Sequence, residues 1–387
     1  TTMKSALALV PATLLASVFF AGCSGTDDAP NPGSAADDEI AQQSFEAKST
    51  CGNHRCDRRE TCSSCPQDCG QCGSGGSGAG DSGTGGSGTG GSGTGGSGTG
   101  GSGTGGSGGG TGVCGSTAAP PAHYEHVVIF SFENRTWSNV GLGFSATTMP
   151  YLHALATQCS YFSDWTETNT SQNSLTQYIG ETSGVNNSAT VNDCSPSATC
   201  RSTDDNVFRQ VRQAGGTAIN YVEGATAGCS ASGNAAKHVP ALYYFGTYTD
   251  GTGSHSDHDF CNAEVRPYSE FDPNNLPTYA FVTPTLCNDG HDCNDATVNT
   301  WASTNIQRVL DSAAYKAGTV AVFVWYDEDH PVPNLTIAPT SHKGQITTTG
   351  VGSHAALLKT IEDLLGLPFM NQGQLPAAAD LRTTLGI

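Results

Sequence analysis

The stretch AVFVWYDEDH, Ala321 to His330, runs through six mostly apolar residues and then presents Asp327, Glu328, Asp329 and His330 together. An unbroken apolar run of this kind predicts a strand buried on both faces, as in a parallel sheet. Three neighbouring carboxylates at its end repel one another, and burial makes the repulsion worse. A positive partner is expected there.

Outward from this run, strand-like and helix-like segments alternate. HVVIFSF (126–132), YFSDWTE (161–167), TAINYV (217–222) and TYAFVTP (278–284) read as strands. MPYLHALATQC (149–159) and NVFRQVRQAGG (206–216) carry helical spacing, and Val298 to Ala317 reads as one helix stopped by Gly318. SHAALLKTIEDLLGLP (353–368) closes with a helix that Ser353 can cap and Gly366 and Pro368 stop. This alternation predicts an α/β fold, a mostly parallel sheet with helices on both faces. Ligands in such folds collect beyond the carboxyl ends of the strands.

Composition sets the remaining organisation. The chain has 387 residues and 50 glycines, concentrated in Gly/Ser/Thr repeats over 73–113 that read as a flexible linker. Residues 1–22 read as a signal peptide ending in FAGC, which resembles a bacterial lipobox and implies a lipid anchor on Cys23. Residues 23–50 are a polar tether, 51–72 a small Cys-rich module, and 114–387 a domain large enough for its own core. Besides Cys23, six cysteines lie in the module and eight in the domain, and even numbers in an exported chain point to disulfides. The close pairs Cys194/Cys200 and Cys287/Cys293 suit local bridges, which leaves Cys229/Cys261 and Cys114/Cys159. With 16 basic against 35 acidic residues and no basic stripe, nucleic acid is not an expected partner. Membrane contact is expected through the lipid anchor only. Oligomeric state leaves no mark in the sequence.

Three strand ends carry the chemistry. HVVIFSF leads to Glu133 and Asn134, TYAFVTP to Asp289 and His291, and AVFVWY to Asp327 and Glu328. Two anionic strand ends with further oxygen donors beside them suit a hard divalent cation better than an ion-pair network. A fourth element, TSQNSLTQYIGETSG, starts a helix near Ser174, where free N–H groups and the helix dipole favour a serine alkoxide or a phosphate.

HVVIFSFENRTW, MPYLHALA, NSLTQYIGETSG, KHVP, FVTPTLCNDGHDC, VWYDED and SHAALLKTIEDLLGLP, in this order, resemble bacterial phosphoesterases of the acid phosphatase type, within the wider alkaline-phosphatase-like superfamily. The resemblance covers residues 124 to 368. It implies a three-layer α/β/α fold and hydrolysis of a small phosphate-ester substrate, with a divalent metal (Ca, Mg, Mn or Zn) beside a nucleophile. Carried over by position, it implies Glu133, Asn134, Asp327 and Glu328 as metal ligands and Ser174 as the nucleophile. Lys237, His238, Asp289 and His291 would face the phosphate or a second cation, with His291 placed to act on the leaving group. The chain departs from the pattern at Gln177, at Thr285, and at His330-Pro331-Val332-Pro333, where the histidine of an Asn-His-x-Pro is displaced. Two other readings remain open: a phospholipase C-like phosphodiesterase, and a non-catalytic surface binding protein on a decayed phosphatase fold.

Overall fold

The computed structural model describes residues 112–136, 144–170, 173–225, 228–229 and 236–387. The expected signal peptide, the lipidated Cys23, the tether and the Cys-rich module lie outside the described residues, as does nearly all of the linker. Among the described residues, no helix is long and apolar enough to cross a membrane.

In chain order the strands are β1 (His126–Phe132), β2 (Ser160–Phe162), β3 (Trp165–Thr166), β4 (Ala218–Val222), β5 (Thr247–Asp250), β6 (Gly253–Ser256), β7 (Val265–Pro267), β8 (Tyr279–Thr283), β9 (Val320–Tyr326), β10 (Asn334–Ile337), β11 (Gly344–Ile346) and β12 (Gly352–Ser353). The main helices are α1 (Pro150–Ala156), α2 (Ser174–Ser183), α3 (Val207–Gln213), α4 (Asp295–Leu310), α5 (Ala313–Ala317) and α6 (His354–Leu364). Eight strands form one sheet in the order β11-β2-β10-β9-β1-β8-β4-β7. All its pairings are parallel except those of β10, which runs against β9 and β2.

Both faces are covered. Phe130 and Phe132 of β1 meet Trp301 of α4 edge-on. Trp325 of β9 stands opposite Ser131, so it points to the other face, where it meets Tyr178 of α2. The layer with α4 also holds α1, joined by Tyr151 N–H donating to Asn299. The layer with α2 holds α3 and α6, joined by Gln210 donating to Glu362. This is the expected three-layer α/β/α arrangement with a mostly parallel sheet, and β9 is buried along its whole length.

Two elements depart from expectation. The strand read over YFSDWTE (161–167) is two short strands, β2 and β3, because the chain bends at Ser163 and Asp164, and β3 pairs with β12 outside the main sheet. The helix read over Val298 to Ala317 is two helices, α4 and α5, separated at Asp311 and Ser312. The Ser312 side chain accepts from Tyr315 N–H, which makes it the N-cap of a new helix. The hydrophobic periodicity continues across that cap, so it conceals the break. Cystines join Cys114–Cys159, Cys194–Cys200, Cys229–Cys261 and Cys287–Cys293.

Candidate active site

The register of the central strands builds the site. Phe132 of β1 lies opposite Tyr326 of β9. The residues that follow, Glu133 and Asp327, therefore leave the sheet side by side. The backbone turns at Asn134 with φ 51°, in the left-handed region that asparagine tolerates better than most residues. That turn lets Asn134 N–H donate to Asp327 Oδ1 at 3.0 Å, while its side-chain amide donates to Glu133 Oε2 at 3.2 Å. From the next strand over, the Asp289 carbonyl accepts from Glu133 N–H at 2.9 Å. Gly290 then turns with φ 101°, and a Cβ there would meet Val298 at 3.0 Å.

Helix α2 supplies the hydroxyl. Ser174 is its first residue, and its Oγ lies 3.1 Å from Glu133 Oε2 and 3.3 Å from Glu328 Oε1. One turn on, Tyr178 donates to Glu133 Oε1 at 2.6 Å. Ser174 and Tyr178 share a helix face through their i, i+4 spacing. The structure thus brings Glu133, Asn134, Ser174, Asp327 and Glu328 together.

His238 and Asp289 lie deeper. Both are fully buried, with His238 Nε2 3.2 Å from Glu133 Oε1 and His238 Nδ1 3.3 Å from Asp289 Oδ2. Neither approach has hydrogen-bond geometry, so both ring nitrogens and Asp289 Oδ2 are left without a hydrogen-bond partner. Asp327 Oδ2 is orphaned in the same way. Lys237 and His291 instead line an adjoining cleft of about 360 Å³, together with Asp193, Tyr243 and Asp292. Lys237 Nζ lies 3.1 Å from Asp193, and His291 Nδ1 pairs with Asp292 at 2.7 Å.

The electrostatics follow from burial. Burial first, then the charges of Asp327 and Asp289, push the Glu133 carboxyl well above its ordinary range. Burial lifts Asp327 to about 7 against the pull of the Asn134 N–H, and lifts Asp289 to about 7. Burial and then the neighbouring Asp327 raise Glu328 to about 8. His238 is driven well below its ordinary value by burial and then by Lys237 and His291. Burial thus leaves the imidazole neutral, as a metal ligand requires, and a divalent cation would draw the crowded carboxyls back to their ionised form.

The residues fit such a cation. Glu133, Asp327 and Glu328 each bring a ligand atom within 4.8 Å of the others, and so do Glu133, His238 and Asp289. Orphaned atoms in both trios, all oxygen or imidazole, suit a hard or borderline metal. A third group, Cys229, His258 and Cys261, does not fit, because its two sulfurs are already joined in a cystine.

Three residues near the site went unassigned in the sequence. Tyr178 reads as one more apolar position of α2. His354 accepts from the indoles of both Trp165 and Trp325 and holds the Asp327 carbonyl at 2.7 Å. Asp193 lies in the loop that follows α2, which turns back so that its carboxylate reaches the Leu175 N–H at the start of that helix. For Tyr178 the i+4 spacing from Ser174 was the available signal. His330, displaced in the motif, lies 3.1 Å from the Trp165 carbonyl and 3.5 Å from Glu167 Oε2.

The model of the Phosphoesterase family matches residues 130–368, and the chain belongs to that family, whose class of chemistry is phosphoester hydrolysis. No curated protein matches the chain. Among solved structures, it is similar to an alkaline phosphatase superfamily protein from Vibrio parahaemolyticus (12% identity, 68% of this chain and 70% of that one, TM-score 0.43). It is also similar to the lipoteichoic acid synthase LtaP from Listeria monocytogenes (12% identity, 67% and 76%, TM-score 0.40). A phosphonate monoester hydrolase from Silicibacter pomeroyi is a further likeness (15% identity, 68% and 77%, TM-score 0.38).

Proposed function

We propose that the protein is a divalent-metal-dependent phosphatase that hydrolyses phosphate monoesters through Ser174. The observation that carries this reading is the Ser174 hydroxyl, 3.1 Å from Glu133 and 3.3 Å from Glu328 at the start of α2. Glu133, Asn134, Asp327 and Glu328 would hold one cation, and His238 and Asp289, with Glu133 shared, are placed to hold a second. When bound, the metal supplies Lewis acidity toward a phosphoryl oxygen and lowers the pKa of the serine hydroxyl.

This chain's own residues do the rest. Ser174 passes its hydroxyl proton toward the carboxylates it faces, Glu133 and Glu328, its Oγ attacks phosphorus, the bond from phosphorus to the leaving oxygen breaks, and a phosphoserine forms. The positive end of the α2 dipole favours the negative charge of the phosphoryl oxygens. Lys237 adds positive charge from the cleft, and His291 gives a proton to the leaving oxygen. Water then attacks the phosphoserine, the bond from phosphorus to Oγ breaks, and phosphate departs. The family's acid phosphatase-type motifs and the cystines support the further reading of an exported, Cys23-anchored enzyme of the alkaline-phosphatase-like class.

The test is turnover of p-nitrophenyl phosphate before and after chelation, with Ser174→Ala alongside. Loss on the order of 10³-fold or more is expected in the variant. Full activity in Ser174→Ala overturns the nucleophile assignment. Turnover of bis(p-nitrophenyl) phosphate above that of the monoester favours the phosphodiesterase reading instead.

A further inference from the structure

Asp193 has no part in the reaction just described, yet it touches two groups that the reaction needs. Its Oδ1 accepts from Leu175 N–H at 2.9 Å, the amide next after Ser174. Its Oδ2 lies 3.1 Å from Lys237 Nζ. Among the residues lining the cleft, Lys237 is the one permanent cation. Arg135, the nearest guanidinium in sequence to the metal-type acids, is committed to Asp295 and to the carbonyls of Asn134, Gly290 and Cys293.

A backbone N–H at a helix start and an ammonium are the donors that a phosphoryl group beside Ser174 would use. In the resting molecule one carboxylate spans both. The contact is reversible in form. The side chains of Lys237 and Asp193 are partly exposed, at 23% and 19%, and both border the open cleft. Asp193 also holds a left-handed backbone angle, φ 49°, in a loop closed just beyond it by the Cys194–Cys200 cystine. The Asp193 carboxylate borders the open volume of the cleft.

Resting on the Ser174 reading, we propose that Asp193 is a built-in substitute for the substrate's phosphate, which an incoming phosphoryl group must displace before it reaches Lys237. The displaced carboxylate takes one negative charge off Lys237 whichever ester arrives. At a partly exposed pair, one charge corresponds to about tenfold in affinity.

The test uses Asp193→Asn, which keeps the shape and the acceptor for Leu175 N–H but removes the charge. Steady-state kinetics with p-nitrophenyl phosphate and bis(p-nitrophenyl) phosphate are paired with calorimetric titration of inorganic phosphate. Phosphate is expected to bind about tenfold tighter, and kcat/KM for both esters to rise by a similar factor. Unchanged or weaker phosphate binding overturns the proposal and leaves Asp193 as a prop for Lys237. Should Asp193→Asn not fold, Asp193→Ser removes the same charge: phosphate binding about tenfold tighter is expected there too, and unchanged binding overturns the proposal. If the wild type turns over neither ester, the Ser174 reading fails, while the phosphate titration still reports on Asp193.

Discussion

Asp257 and Glu133 are both buried carboxylates, and the fold treats them in opposite ways. Asp257 accepts from Arg209 Nε at 3.0 Å, from Arg212 Nη2 at 2.8 Å and from Asn206 at 3.2 Å. Arg212 reaches on to Glu264 and stacks on Phe260. Every acid in that cluster has a guanidinium. Glu133 has only neutral donors, Tyr178, Ser174 and Asn134, and Asp327, Asp289 and Glu328 crowd against it. One cluster is electrostatically closed and serves as structure. The other lacks its counter-charge among the described residues, and that deficit marks it for chemistry.

The largest effect that would sharpen this contrast is in Glu133→Gln. Phosphate-ester turnover should drop by on the order of 10³-fold, because one acid serves both candidate trios. In metal-free buffer the same variant should melt higher than wild type, since a repulsive buried charge is gone. Adding a divalent cation at about 100 times its Kd should stabilise the wild type by about 2.7 kcal/mol and the variant by little. An equal cation response in both proteins would break the comparison. Asp257→Asn should do the reverse: a loss of about 3–5 kcal/mol in urea unfolding, from two guanidiniums left short of charge, with kcat of the folded fraction unchanged.

Glu362 stands between these extremes, buried but held by the neutral Gln210 amide and Met370 N–H. Burial raises it from 4.5 to about 7. The folded state then holds a proton that the unfolded state releases between these values, so stability is fully present below about 4.5 and is lost as pH rises through about 7. Glu362→Gln should gain about 2 kcal/mol over wild type at pH 8 and nothing at pH 4. A gain equal at both pH values would count against the buried carboxyl as its source. The smallest effect is expected at the surface pair Arg266–Glu270, spaced i, i+4, where Glu270→Ala should cost about 0.5 kcal/mol or less.

The centre of the fold was legible because β1 and β9 are buried on both faces and so read as apolar runs, with their acids exposed by the contrast. Ser174 was legible as a helix start. Other features lack a local mark. β10, Asn334–Ile337, is too short to announce itself, and its antiparallel direction depends on partners far along the chain. His238 reads as a polar residue in a loop, and only the packing of Tyr178 against it, with ring centroids 5.1 Å apart, shows how deep it lies. Asp193 owes its place to a cystine-closed loop that no periodicity describes.

The Cys114–Cys159 cystine has a mechanical corollary. It joins the start of the described domain to the residue just before β2, beside the rim strand β11 of the sheet. Tension arriving along the chain ahead of Cys114 passes through sulfur to that margin. Residues 115–158, with Glu133 among them, lie on a slack branch outside the load path. A tug on the leading segment would therefore strain the periphery of the sheet while the reacting groups stay in alignment.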